Sequence, residues 1–244
     1  MTKKPPPKSA SRPQDDFQPR RLNKTLTPEV GRGSQPQRVS AKKHSESSKA
    51  WLDRQLKDPY VQRARAEGYR SRAAFKLLEL DEKFRFLKPG QRVVDLGCAP
   101  GGWLQVLERR GVKSAVGIDL LATDPVPGIT LFEMDFMDED APAALIEALG
   151  GPPDLVLSDM APNTTGHART DHLRILNLVE AAAQFAIDTL APGGTFVTKV
   201  FQGGASQPIM DMLNAHFASV KHAKPKASRA QSAEMFLVAQ NFRP

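Results

Sequence analysis

The sequence predicts an α/β fold, a seven-stranded and mostly parallel sheet with helices on both faces. Three observations predict it. From residue 92 onward, short apolar runs of strand length alternate with amphipathic stretches of helix length. The first run, Val93-Val94-Asp95-Leu96, passes into a small-residue turn, Gly97-Cys98-Ala99-Pro100-Gly101-Gly102, and then into a helix beginning near Trp103. Later runs close on ionisable residues, which a parallel sheet gathers at one rim.

Taken in order, residues 1–49 are rich in Pro, Lys, Arg, Ser and Gln and lack aliphatic periodicity. Such a segment buries too little apolar surface to offset its ordering entropy, so a disordered basic arm is expected there, with a folded domain over 50–244. Ala50 to Tyr60 is expected to open that domain, with Trp51, Leu52 and Leu56 on one helical face. Residues 71–80 carry a second amphipathic stripe, Ala73, Leu77 and Leu80 with Ala74 and Leu78 beside them, and Lys76 next to it. Lys88-Pro89-Gly90 ends the helical region. Arg92–Leu96 is the first strand and Gly102–Arg110 the next helix. Ala115–Asp119, Thr130–Asp135 and Asp154–Asp159 read as strands two to four, with a helix over Ala141–Leu149. A long helix, Asp171–Leu190, stops at Pro192-Gly193-Gly194. Strand five is Thr195–Val200. A helix over Gln207–Phe217 tolerates Pro208 in its first turn, and Ser219–Lys224 and Met235–Phe242 make a last strand pair.

The charge is uneven. The net charge is +7. Residues 93–220, which hold the glycine turn, carry 6 Lys+Arg against 16 Asp+Glu, whereas residues 1–49 carry 12 against 4. Basic flanks suit a polyanion such as RNA. No apolar run approaches the roughly 20 residues of a membrane span, and the basic N-terminus has no apolar segment behind it. A single cysteine excludes an internal disulfide, and the histidines have no metal-like spacing. The expectation is a cytoplasmic protein with no metal and no membrane partner.

Asp119, Asp135, Asp159 and Lys199 each stand near the end of a predicted strand, on the rim that carries the glycine turn. The 22 residues from Gly97 to Asp119 fit an acid that hydrogen-bonds a ribose diol. A dinucleotide fits poorly: the turn departs from Gly-x-Gly-x-x-Gly, Pro100 removes an N–H where a pyrophosphate needs one, and the acidic rim repels phosphates. A cationic, phosphate-free cofactor fits better, and S-adenosyl-L-methionine is the expected one. Cys98 reads as turn packing, because no base accompanies it.

Asp-Leu-Gly-Cys-Ala-Pro-Gly-Gly-Trp (95–103), Ser-Asp-Met-Ala-Pro-Asn (158–163) and Lys-Val-Phe-Gln-Gly (199–203) resemble the FtsJ-type ribose 2′-O-methyltransferases, and so do the flanking stretches 71–76 and 228–234. The resemblance covers residues 50–244 and is nearest to the bacterial members that methylate a uridine of large-subunit (23S) rRNA. It implies a Rossmann-like, S-adenosylmethionine-dependent methyltransferase, with a catalytic tetrad at Lys76, Asp159, Lys199 and Glu234. It also implies cofactor contacts at Gly101, Trp103, Asp119, Asp135 and Asp159. The implied partner is large-subunit rRNA or the assembled large ribosomal subunit, with the enzyme acting as a monomer. A ribose hydroxyl is a poor nucleophile until its proton has an acceptor, and Lys199 is the expected acceptor. Phosphate contacts are expected from Arg54, Arg63, Arg65, Arg70, Arg72 and the Lys221–Arg229 segment. Two rival readings are a tRNA or cap 2′-O-methyltransferase and a ribosome-assembly factor that binds RNA without methylating it.

Overall fold

The computed structural model describes residues 58–162, 168–201 and 206–244. The expected arm at 1–49 and all but the last three residues of the expected opening helix fall outside these. The first described helix is α1 (Pro59–Ala66). It starts at Asp58, whose side chain accepts the Tyr60 N–H, and has Pro59 in the first turn where its missing N–H costs nothing. The amphipathic stripe at 71–80 forms α2 (Ala73–Phe84), which ends where Arg85 turns left-handed. The stripe buries Ala74, Leu77 and Leu80 on the sheet. Phe75 points the other way, with Ala64 and Ala227.

The remaining elements alternate as expected: β1 (Arg92–Leu96), α3 (Gly102–Arg109), β2 (Ser114–Asp119), β3 (Ile129–Glu133), α4 (Ala141–Leu149), β4 (Leu155–Ser158), α5 (Ala168–Thr189), β5 (Thr195–Phe201), α6 (Gln207–His216), β6 (Phe217–Ala223) and β7 (Glu234–Phe242). The seven strands order as β3-β2-β1-β4-β5-β7-β6. All neighbours are parallel except β7, which runs antiparallel between β5 and β6.

The two-residue period of the strands sorts their side chains onto two faces. Val94, Leu96, Val116, Ile118, Val156 and Phe196 pack under α4, α5 and α6. Val93, Ala115, Leu155, Leu157, Val197 and Val238 pack under α2 and α3. A sheet covered on both faces must be apolar on both, which is why its central strands read as continuous apolar runs.

β1 pairs with β2 on one side and β4 on the other. The chain runs outward from β1 to β3 and then crosses back to β4. This reversal of winding leaves a crevice beyond the carboxyl ends of β1 and β4, where open α/β sheets take their ligands.

Candidate active site

The glycine turn forms the β1 side of that crevice. Gly101 has φ +100° and stands directly before α3. Only glycine takes that backbone angle without strain, and a Cβ there would lie 2.5 Å from Arg70 Nη1. A Cβ on Gly97 would lie 2.9 Å from the Met160 backbone, so the turn and the segment after β4 approach as closely as two chains can. The first N–H groups of α3 have no partners within the helix and lie directly behind the turn.

Asp119, the last residue of β2, braces the turn. Its Oδ2 accepts the Ala99 N–H and its Oδ1 the Leu121 N–H, both at 2.9 Å. Asp135 lies two residues beyond the end of β3, in an exposed turn where Oδ1 accepts the Met137 N–H at 2.9 Å. It therefore stands on the rim without closing its strand as the sequence reading expected. The Trp103 ring is buried in the core: Nε1 donates to the Ala73 carbonyl at 2.7 Å and the ring packs against Phe236. Trp103 can offer a ligand only its backbone.

Among the described residues, four side-chain oxygens bordering the turn are buried without a hydrogen-bond partner: Ser71 Oγ, both oxygens of Asp95, and Asp159 Oδ1. Burial, and next the charges of Asp159 and Asp119, push the Asp95 carboxyl well above the usual carboxylate range. The Cys98 thiol is pushed up as well, by burial first and by Asp95 second, and is no nucleophile. Asp119 and Asp135 set carboxylates along this rim, which suits a cationic, phosphate-free ligand and repels a pyrophosphate.

The other side of the crevice holds the four residues expected to act together, and the fold brings them into one chain of contacts. Lys199 Nζ, largely buried on β5, donates to the Asp159 carbonyl at 2.6 Å. It also stands 2.9 Å from Asp159 Oδ1, as an ion pair off the direction of a hydrogen bond. Lys76 Nζ donates to Glu234 Oε2 at 2.8 Å and lies 3.7 Å from Asp159 Oδ2. Asp159 thus sits between two ammonium groups, with Glu234 behind one of them.

Sequence reasoning assigned no part to Ser228 or Asp95. Ser228 Oγ, buried, donates to Glu234 Oε1 at 2.6 Å and fixes that carboxylate for Lys76. The signal was present in the Ser-x-x-x-x-x-Glu spacing of the last motif, but only the loop between β6 and β7 makes it a contact. A charged residue in the middle of an apolar strand was the signal for Asp95.

The expected phosphate contacts divide. Arg54 lies outside the described residues. Arg63 pairs with Glu67 and caps the Phe75 ring. Arg72 is held by Asp58 and the Ala227 carbonyl, and Arg229 leans on the same Asp58 at 3.5 Å. The Ala227 N–H donates to Glu79 Oε2 at 2.9 Å, completing a clamp between the Ser228 segment and α2. Lys224 ties its own loop through the Ala230 and Ser232 carbonyls. Arg65, Lys221 and Lys226 are exposed and have no side-chain partner among the described residues.

Comparison with known proteins agrees with this geometry. Residues 69–242 match the FtsJ-like methyltransferase family. The chain is 57% identical over 221 residues to the ribosomal RNA large subunit methyltransferase E of Granulibacter bethesdensis, covering 91% of this chain and 96% of that one. It is 60% identical over 205 residues to the protein of the same name from Novosphingobium aromaticivorans, covering 84% and 92%. A crystal structure of a Plasmodium falciparum protein described as a ribosomal RNA methyltransferase superposes with a TM-score of 0.63 at 32% identity, covering 71% of this chain and 98% of that one. With the motifs, the sheet order and these relatives in agreement, the chain belongs to the FtsJ-like methyltransferase family.

Proposed function

We propose that the chain transfers a methyl group from S-adenosyl-L-methionine to the ribose 2′-hydroxyl of a uridine in large-subunit rRNA. The observation that carries the reading is the contact chain Lys199–Asp159–Lys76–Glu234, set across the crevice from the glycine turn. The names and the coverage of its relatives support the choice of rRNA. When bound, the cofactor supplies a methyl group made electrophilic by a sulfonium.

Gly101, Asp119 and Asp135, with the backbone of Trp103, would hold that cofactor, and the carboxylates of Asp119 and Asp135 on the rim suit its positive charge. Lys199 Nζ, as the neutral amine left when its ammonium has given a proton to solvent, accepts the proton of the ribose hydroxyl as the oxygen becomes nucleophilic. Asp159 orients Lys199 and presents its other oxygen toward Lys76. Lys76, fixed by Glu234 and through it by Ser228, steadies the developing charge on the ribose oxygen. Most of the acceleration comes from holding these groups in place before the reaction begins. In this reading residues 50–244 form the catalytic domain, residues 1–49 add RNA affinity, and Arg65, Lys221 and Lys226 supply phosphate contacts.

The test is a methyl-transfer assay with radiolabelled S-adenosylmethionine on purified large subunits, free rRNA and tRNA, followed by mapping of the modified ribose. Label on a single uridine of the large-subunit rRNA is the expected result. Label on tRNA alone would transfer the reading to the rival substrate, and no label on any RNA, with the cofactor bound, would favour an assembly factor.

A further inference from the structure

Arg70 precedes α2, in the segment whose arginines were expected to meet RNA phosphates, and its guanidinium is engaged elsewhere. Nη1 donates to the Asp124 carbonyl at 2.6 Å and to the Pro100 carbonyl at 3.4 Å, and Nη2 donates to the Pro125 carbonyl at 2.8 Å. The Arg70 N–H donates to Gln105 Oε1 on α3 at 2.7 Å, and Gln105 Nε2 returns a bond to the Gly68 carbonyl at 3.0 Å. The main chain of Arg70 is therefore fixed to α3, and its side chain crosses the glycine turn to reach the loop between β2 and β3.

That loop follows Asp119 and has no regular structure over residues 120–125. It lies against the turn: a Cβ on Gly101 would come within 3.3 Å of Thr123 Cγ2 as well as 2.5 Å of Arg70 Nη1. Among the described residues, beyond the Asp119 carboxylate and a 4.0 Å contact between Cys98 Sγ and Thr123 Oγ1, Arg70 supplies the hydrogen bonds between loop and turn. The planar fork of guanidinium donors holds three carbonyls from two chain segments in fixed, spread directions, whereas an ammonium presents its three donors from a single atom.

We propose that Arg70 is a positioning residue for cofactor binding, a clasp that holds the 120–125 loop on the glycine turn. It fixes the distance between the backbone at Gly101 and the carboxylate of Asp119. This rests on the reading that the turn takes S-adenosylmethionine.

The experiment compares wild type, Arg70→Ala and Arg70→Lys. Three quantities are measured: the cofactor Kd by calorimetry, KM and kcat on large subunits, and the salt dependence of subunit binding. Loss of charge-assisted bonds of this kind predicts a rise of about tenfold in cofactor Kd and in KM for the cofactor with Arg70→Ala. The kcat at saturating cofactor should stay within about twofold, because no group in contact with the reacting atoms has changed. Arg70→Lys should lie between, and the salt slope should not change. An unchanged cofactor Kd in Arg70→Ala overturns the clasp. So does a salt slope smaller by about one with cofactor affinity intact, which would make Arg70 a phosphate ligand. If Arg70→Ala does not fold, as thermal unfolding without cofactor would show, an unchanged Kd in Arg70→Lys overturns the proposal equally. Failure of the wild type to bind the cofactor would instead sink the reading of the turn itself.

Discussion

On the β5 and β7 side of the crevice each charged group has a partner, whereas on the β1 side several polar atoms have none. Lys76, Glu234 and Ser228 form a closed series of contacts, and Lys199 is held by both the carbonyl and the carboxylate of Asp159. Across the crevice, the oxygens of Asp95 and Ser71 Oγ are buried and unpaired. Buried acceptors without donors cost stability. The first side is organised before any substrate arrives, and the second leaves buried polar atoms without partners. In the proposed reading, the difference separates a part that works on the hydroxyl from a part that holds the methyl donor.

Mutations can break that separation. The largest effect is expected for Lys199→Ala, which should lower kcat by about 10²- to 10⁴-fold, the usual weight of a positioned base. Its cofactor Kd should stay within about threefold, and turnover near the wild-type rate would remove Lys199 from the proposed role. Gly101→Ala tests the opposite side. The added Cβ meets Arg70 Nη1 at 2.5 Å on a backbone at φ +100°, so cofactor affinity should fall about ten- to a hundredfold, the scale of such backbone strain. A calorimetric Kd matching wild type would show that the turn does not hold the cofactor.

Smaller effects sharpen the comparison. Ser228→Ala removes one hydrogen bond to the Glu234 carboxylate and should reduce kcat about tenfold with cofactor affinity intact. An equal loss in both quantities would mean that the two sides are not independent. Asp95→Asn should be mildest and visible in stability. The folded chain keeps a proton on Asp95 that the unfolded chain releases above about pH 4, so this residue makes the fold less stable as pH rises toward its folded pKa. Asparagine removes that dependence. The change in Tm as pH rises above about 4 should be less destabilising in the variant, and parallel curves would show that the fold does not raise the Asp95 carboxyl.

Much of this was legible in the chain. The alternation of runs yields the sheet and both helical layers, because period two and period 3.6 leave different marks. The glycine turn and the four residues of the contact chain were named from motifs, and the fold brings those four together. Other features were hidden for physical reasons. Strand ends depend on hydrogen bonding, so Asp135 falls two residues past β3. Trp103 at a helix start can face ligand or core, and only packing against Phe236 decides. The arginines before α2 read as a basic stretch, yet Asp58, Glu67 and backbone carbonyls occupy Arg63, Arg70 and Arg72. Charge counting cannot separate a cation that awaits a phosphate from one that already has a partner.

The direction of β7 has a consequence for how the protein is made. Glu234 is the first residue of β7 and pairs with Phe201 at the end of β5, which sets it at the same rim as Lys199. Were the nine residues of β7 parallel to β5, Glu234 would stand at the far end of the sheet, up to about 30 Å away at some 3.4 Å per residue. Lys76 waits for a partner 158 positions further along, on a strand that must enter between β5 and β6. During translation the ribosome therefore releases most of the sheet before the contact between Lys76 and Glu234 can close. A nascent chain stalled before residue 234 would display the glycine turn and both lysines yet lack the carboxylate that holds Lys76, so in the proposed reading full activity waits until β7 has been made.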